Sequence, residues 1–123
     1  MKVLIGTDLE GVAGVVSFTQ QTYAESRYYE RAKRLLTAEV NAAVEGLLAE
    51  GVEDILIMDG HGPGGIWFEN LHPAAKLLHG RPTAPRERLT PILSRYDVCA
   101  MIGQHAMAGV VTSNQGHTQS SRA

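Results

Sequence analysis

Three short apolar runs punctuate the chain, and each gives way at its carboxyl end to glycine and to side chains that can hold charge. The first is Lys2-Val3-Leu4-Ile5-Gly6-Thr7, followed by Asp8-Leu9-Glu10-Gly11. The second, Ile55-Leu56-Ile57-Met58, runs into Asp59-Gly60-His61-Gly62, and the third, Val98-Cys99-Ala100-Met101-Ile102, into Gly103-Gln104-His105. Runs of this length bounded by turn residues predict buried strands of a parallel sheet. Between the first two, Tyr28, Ala32, Leu35, Leu36, Val40, Ala43, Val44, Leu47 and Leu48 recur at helical spacing. They predict one long helix from Glu25 to Glu50, with Arg27, Arg31, Arg34, Glu39 and Glu45 mostly on its wet side and Gly51 as its stop. Strand, helix and strand joined in this way form a right-handed βαβ unit, which brings both strand ends to one edge of the sheet. Shorter patterns predict a strand over Ala74 to His79 with Leu77 and Leu78 buried, and a helix over Arg86 to Arg95 broken by Pro91. Trp67 and Phe68 are expected to anchor the loop after Gly62-Pro63-Gly64-Gly65, and residues 109–119 to lead into a further strand. The expected architecture is α/β: a mostly parallel sheet flanked by helices, with a metal cleft at the strand carboxyl ends.

Composition narrows this picture. With 123 residues, 44% hydrophobic and 20% charged, the chain reads as a single globular α/β domain over 1–123 rather than a disordered segment. A net charge of −2 argues against a broad nucleic-acid footprint. Arg81, Arg86, Arg88 and Arg95 cluster, but Pro82, Pro85 and Pro91 interrupt them, so a solvated loop face is expected. The lone Cys99 excludes an internal disulfide and fits a reducing compartment, and its apolar neighbours predict a buried, inert thiol. No stretch is long and apolar enough to span a bilayer, and the early acids at Asp8 and Glu10 do not suit a signal peptide. A cytoplasmic protein is expected. The Gly11-Val12-Ala13-Gly14 turn fits neither the dinucleotide fingerprint nor the phosphate loop.

The chemistry gathers at the three run ends. Strand alternation would put Asp8 and Glu10 on one side, and two acids held together repel each other unless a cation lies between them. A metal ion answers that; the plainer alternative is that Asp8 caps the next element and Glu10 is solvated. His61 and His105 close the other two runs, and His117 lies near His105 in sequence. His72, before a proline, and His79, before Gly80, are expected at the surface or in capping roles. Asp8, Glu10, His61 and His105 form a nitrogen and oxygen donor set that suits Zn²⁺ and tolerates Mn²⁺ or Co²⁺. The absence of a thiolate from it favours a catalytic over a structural site. A carboxylate such as Asp8 can bridge two ions about 3.5–4 Å apart, and water there ionises near neutral pH. His117, free of metal, could then move protons or stabilise an oxyanion. Two ions need more ligands than these four residues supply. A rival reading takes Asp8 as the nucleophile of a Mg²⁺-dependent phosphatase, but it predicts aspartate in place of Glu10 and leaves both histidines unexplained.

The stretch from Gly6 to Val15 closely resembles the opening of the zinc D-aminopeptidases of the bacterial dipeptide-transport operon type. The resemblance continues through Thr37-Ala38-Glu39-Val40-Asn41-Ala42-Ala43, Asp59-Gly60-His61-Gly62 and Leu71-His72-Pro73. It extends to Gly103-Gln104-His105-Ala106-Met107-Ala108 and Gly116-His117-Thr118, in the family's order over essentially the whole chain. It implies a dinuclear zinc peptidase that removes an N-terminal D-amino acid, above all D-alanine, from short peptides. Asp8 would bridge both zincs, with Glu10, His61 and His105 as further ligands and His117 as the catalytic histidine. Ring-shaped homo-oligomers would be the assembly. The resemblance also implies a chain about twice this length, with a fifth ligand, a glutamate, beyond residue 123. On that ground a truncated, inactive or single-metal-binding fragment is the alternative to an active enzyme.

Overall fold

In the computed structural model, which describes residues 1–118, four strands and two helices follow one another along the chain. They are β1 (Lys2–Thr7), α1 (Tyr29–Ala49), β2 (Asp54–Asp59), β3 (Ala75–Leu78), α2 (Arg86–Leu93) and β4 (Val98–Ile102). The strands form one sheet in the order β3-β2-β1-β4, and every pairing is parallel. The α/β class read from the sequence is therefore the observed one. The first strand is interior, flanked by β2 and β4.

The register explains the core. Val3 pairs with Ile55 and Ile5 with Ile57, so these four side chains share one face of the sheet. Ala32, Leu36, Val40 and Val44 of α1 lie in the same buried cluster. Each aliphatic side chain buried in this way stabilises the fold by about 1.5–3 kcal/mol.

Several expectations need correction. The long helix starts at Tyr29, not Glu25, because the preceding segment finds other partners. Phe18–Thr22 make a single π-helical turn, and the Ser26 hydroxyl donates to the Thr19 carbonyl (2.9 Å) while accepting from the Tyr23 N–H (3.0 Å). Such local side-chain bonds compete with helix formation. Leu35 lies at the rim of the stripe and is exposed, whereas Thr37 is buried because its hydroxyl donates to the Lys33 carbonyl and accepts from the Trp67 N–H, each at 2.8 Å. The loop after Gly65 is anchored by fully buried Ile66; Phe68 is exposed, and Trp67 lies under the Lys33 and Arg34 cations. Leu77 and Leu78 are half-buried, since β3 is an edge strand. Pro91 sits inside α2 without breaking it, and the next turn resumes with Ser94 N–H donating to the Thr90 carbonyl (3.0 Å).

The largest correction concerns β4. Its pattern predicts a strand correctly, but Val98, Cys99, Ala100 and Met101 are all exposed. Among the described residues this strand is hydrogen-bonded on one edge, to β1. Cys99 is thus an accessible thiol rather than a buried one. The residues from 109 to 118 form turns and irregular backbone, as expected of a loop, and the strand they were expected to lead into lies outside the described residues.

At the carboxyl end of the sheet, backbone meets backbone. The Asp8 N–H donates to the Ile102 carbonyl (3.0 Å), the Gly11 N–H to the Gly103 carbonyl (2.7 Å), and the Gly60 N–H to the Thr7 carbonyl (2.9 Å). A β-carbon on Gly103 would overlap the Asp8 carbonyl, and its φ of +73° is one that glycine adopts freely. Gly103→Ala is expected to cost about 1–3 kcal/mol from backbone conformation alone. Gly46, in α1 with nothing within 4 Å of an added β-carbon, is the control. A urea midpoint for Gly103→Ala equal to that of Gly46→Ala would contradict this account of the junction.

Candidate metal centre

The extended backbone ends at Thr7, so Asp8 and Glu10 do not share a side by strand alternation. A turn achieves the same result. Leu9 between them is fully buried, and the Val12 N–H closes back onto its carbonyl (3.2 Å). With Leu9 drawn into the core, the flanking carboxylates come out together, both nearly inaccessible to solvent.

The histidines arrive from the neighbouring strands. Beyond β2, His61 Nδ1 lies 3.2 Å from Asp8 Oδ1 and 3.3 Å from Glu10 Oε2. Its Nε2 is 2.7 Å from the Thr22 carbonyl in the π-helical turn. Beyond β4, His105 Nε2 lies 3.3 Å from Asp8 Oδ2, and its Nδ1 is 2.6 Å from the Ala106 carbonyl. The two Asp8 oxygens therefore face different imidazoles. The Leu9 N–H (2.8 Å) and the Gln104 amide (3.4 Å) also donate to this carboxylate. His117 stacks on His105 with ring centroids 3.6 Å apart, and Phe18 meets its edge at 5.2 Å. The His117 main-chain N–H donates to the Ala106 carbonyl (3.2 Å), and its Nδ1 lies 2.8 Å from the Gln115 carbonyl.

Electrostatics follow from this geometry. Burial opposes the charged form of His61, but hydrogen bonds to Asp8, Glu10 and the Thr22 carbonyl outweigh it and push its pKa up to about 10. Burial likewise opposes ionised Asp8, yet the contact with the His61 ring and the bond from the Leu9 N–H bring it down to about 2. Glu10 Oε2 is buried and is held by its 3.3 Å ion pair with His61 Nδ1 rather than by a well-aligned hydrogen bond. Ligand atoms of Asp8, Glu10 and His61 lie within 4.8 Å of one another, and so do those of Glu10, His105 and His117. A buried glutamate common to two convergent oxygen and nitrogen groups fits a divalent ion.

These groups line a cavity of about 240 Å³ that also includes Gly60, Gly62, Arg81 and Thr118. Arg81 is exposed, as the solvated loop face read from the sequence requires; because β3 leads the chain back past the His61 loop, this exposed cation also borders the cavity. His72 and His79 stay outside it. His72 Nε2 is 2.8 Å from Glu45 and its Nδ1 accepts from the Ala74 N–H (3.1 Å), while His79 packs against Phe68. Two supports carried no sequence signal. Buried Asp59 accepts from the Gly65 and Ile66 N–H groups and so fixes the loop after His61. The Thr22 carbonyl, a main-chain atom, orients His61.

Known proteins share this arrangement of elements. The fold matches the solved Zn-dependent D-aminopeptidase DppA from Bacillus subtilis, described as a self-compartmentalizing protease, with a TM-score of 0.81 and 24% sequence identity. That match covers 96% of this chain and 42% of that one. The D-aminopeptidase of Bacillus subtilis strain 168 is 28% identical over 111 residues, covering 88% of this chain and 39% of the relative. The chain thus spans about two fifths of the length of the curated relative it matches. The sequence pattern of the D-aminopeptidase family of peptidases matches residues 1–123, and the chain belongs to that family.

Proposed function

We propose that this chain carries the metal-binding face of a zinc-dependent aminopeptidase that hydrolyses the N-terminal bond of short D-alanyl peptides. The observation that carries the reading is buried Glu10, which belongs to two convergent ligand groups, one with Asp8 and His61 and the other with His105 and His117. In it, Asp8, Glu10, His61 and His105 would hold the zinc, with Asp8, whose two oxygens face different imidazoles, as the ligand shared by two ions. The relatives' greater length supports a longer peptidase domain of which these residues are the N-terminal part. The self-compartmentalizing description of DppA supports a homo-oligomeric ring as the working assembly.

Zinc held here would supply Lewis acidity to the peptide carbonyl and ionise water near neutral pH. The chain's own residues do the rest. His61 and His105 each spend one ring nitrogen on a main-chain carbonyl, which leaves the other, facing the carboxylates, as the donor atom. His117 hands its Nδ1 proton to the Gln115 carbonyl as a hydrogen bond, so in the neutral ring Nε2 is the basic atom. From the cavity wall it can take a proton from attacking water and return it to the leaving amine. The aspartate-nucleophile phosphatase reading gains no support from a geometry in which both Asp8 oxygens face imidazoles.

A second reading of His117 follows from its place in one ligand group: it could bind the ion beside Glu10 and His105 instead of moving protons. His117→Ala separates the two. The expected outcome is unchanged zinc content with D-alanyl peptide hydrolysis reduced by about 10²–10⁴-fold. Loss of zinc would make His117 a ligand. In the unaltered chain, close to two zincs after dialysis supports the dinuclear reading. One zinc without hydrolysis would make the chain a single-metal-binding fragment, and none would overturn the reading altogether.

A further inference from the structure

Arg81, an exposed residue, carries the permanent positive charge at the edge of the metal cavity. It is not there by chance of a flexible side chain alone. The Arg81 N–H donates to the Gly62 carbonyl (3.3 Å), one residue beyond His61. Gly80 adopts a φ of +50°, and a β-carbon there would lie 3.7 Å from Gly62 and Gly64 backbone atoms. The segment leaving β3 is thereby laid against the loop that holds His61. Among the described residues no carboxylate lies within 4.0 Å of the Arg81 guanidinium, although Asp8 and Glu10 line the same cavity and are engaged by histidines.

We propose that Arg81 binds the terminal carboxylate of the peptide substrate and so restricts the site to very short peptides with a free carboxyl end. The inference rests on the peptidase reading above and names the substrate class that reading leaves open. A carboxylate entering this cavity meets two acids already paired with His61, and Arg81 adds a permanent cation that no carboxylate of the described residues pairs. The planar guanidinium fork matches a carboxylate with two parallel hydrogen bonds, which an ammonium does not reproduce. Size points the same way: about 240 Å³ lies below the ~300–1,000 Å³ usual for drug-sized ligands. Each added residue moves a terminal carboxylate by roughly 3.3–3.6 Å, so longer peptides carry it past Arg81.

The test compares D-alanyl-D-alanine with its C-terminal amide, on the unaltered chain, Arg81→Ala and Arg81→Lys. Equilibrium binding is measured by calorimetry with and without zinc, and KM and kcat wherever turnover is seen. The unaltered chain is expected to bind the free acid about 10–100-fold more tightly than the amide, the scale of a charge-assisted hydrogen-bonded pair. Arg81→Ala should abolish that preference, raise KM for the acid by the same factor, and leave kcat and the amide unaffected. Arg81→Lys should recover only part of it. No preference in the unaltered chain, or equal losses for acid and amide, would overturn the proposal even if the chain hydrolyses neither. Failure to retain zinc strikes the peptidase reading instead, since the acid-over-amide preference is also read in the metal-free chain.

Discussion

Replacing Asp8 with asparagine is expected to strip zinc from both positions while the chain stays folded. Asp8 is the group whose two oxygens face His61 and His105, at 3.2 Å and 3.3 Å, so its loss removes a ligand from each side of the site. Asparagine keeps the shape and can still accept the Leu9 N–H, which bonds Oδ1 in the native turn. What disappears is the negative charge. Substituting a group that merely orients a ligand weakens metal binding by about 10–100-fold, and removing a ligand itself should exceed that. Elemental analysis after dialysis measures the ion content, and circular dichroism controls for folding. If Asp8→Asn kept its full zinc content, the assignment of Asp8 as the shared ligand would be wrong. The predicted loss is larger than for Glu69→Gln, at an exposed position outside the cavity.

The second large effect is on pH. In the metal-free chain His61 holds its proton up to about 10, and Asp8 stays ionised down to about 2. Ligation through His61 Nδ1 requires that proton to leave, so binding competes with it. Zinc affinity should therefore fall about tenfold for each unit of decreasing pH below about 10, and level off above it. The sign for stability is the reverse. A pKa raised above the unfolded value of about 6.5 makes its contribution to the metal-free fold fully present below that value, and the contribution is lost as pH rises through about 10. Alkali thus weakens the empty site and favours the loaded one. Chelator competition between roughly pH 6 and 8 checks the slope, and calorimetry in buffers of different ionisation heat counts the released proton. A flat affinity over that range would show that His61 carries no competing proton.

The parts of this fold written in short-range pattern were legible. The β1 and β2 runs are apolar because both faces of central strands are covered, and Ala32, Leu36, Val40 and Val44 repeat at the helical period because one side of α1 meets the sheet. Given those elements, parallel connection alone dictates that Asp8, His61 and His105 emerge at one edge. The structure brings these three together with Glu10 and His117, although Asp8 and Glu10 meet through the buried Leu9 turn rather than through alternation. What the pattern could not carry depends on partners in space. The same apolar spelling that buries Ile57 leaves Met101 exposed, because composition does not say what lies against a strand. Arg81 reads as one of a run of loop cations until β3 is seen to return it to the cavity. The Thr22 carbonyl has no side-chain signature at all, and Ser17 and Ser26, which stabilise its turn, look like ordinary loop residues.

The central place of β1 has a consequence for the order in which the molecule assembles. Asp8 and Glu10 leave the ribosome first, yet 96 residues separate Asp8 from Gln104, with which it comes to share a hydrogen bond. Closing a loop of that size precedes any reward from the contacts it makes, and closure entropy grows with every doubling of length by about 0.6 kcal/mol. A nascent chain therefore presents a pair of acids, then a histidine after β2, and gains the second imidazole only when β4 docks on the far side of β1. On the proposed site, an ion meets this chain's full donor set only after β4 has docked.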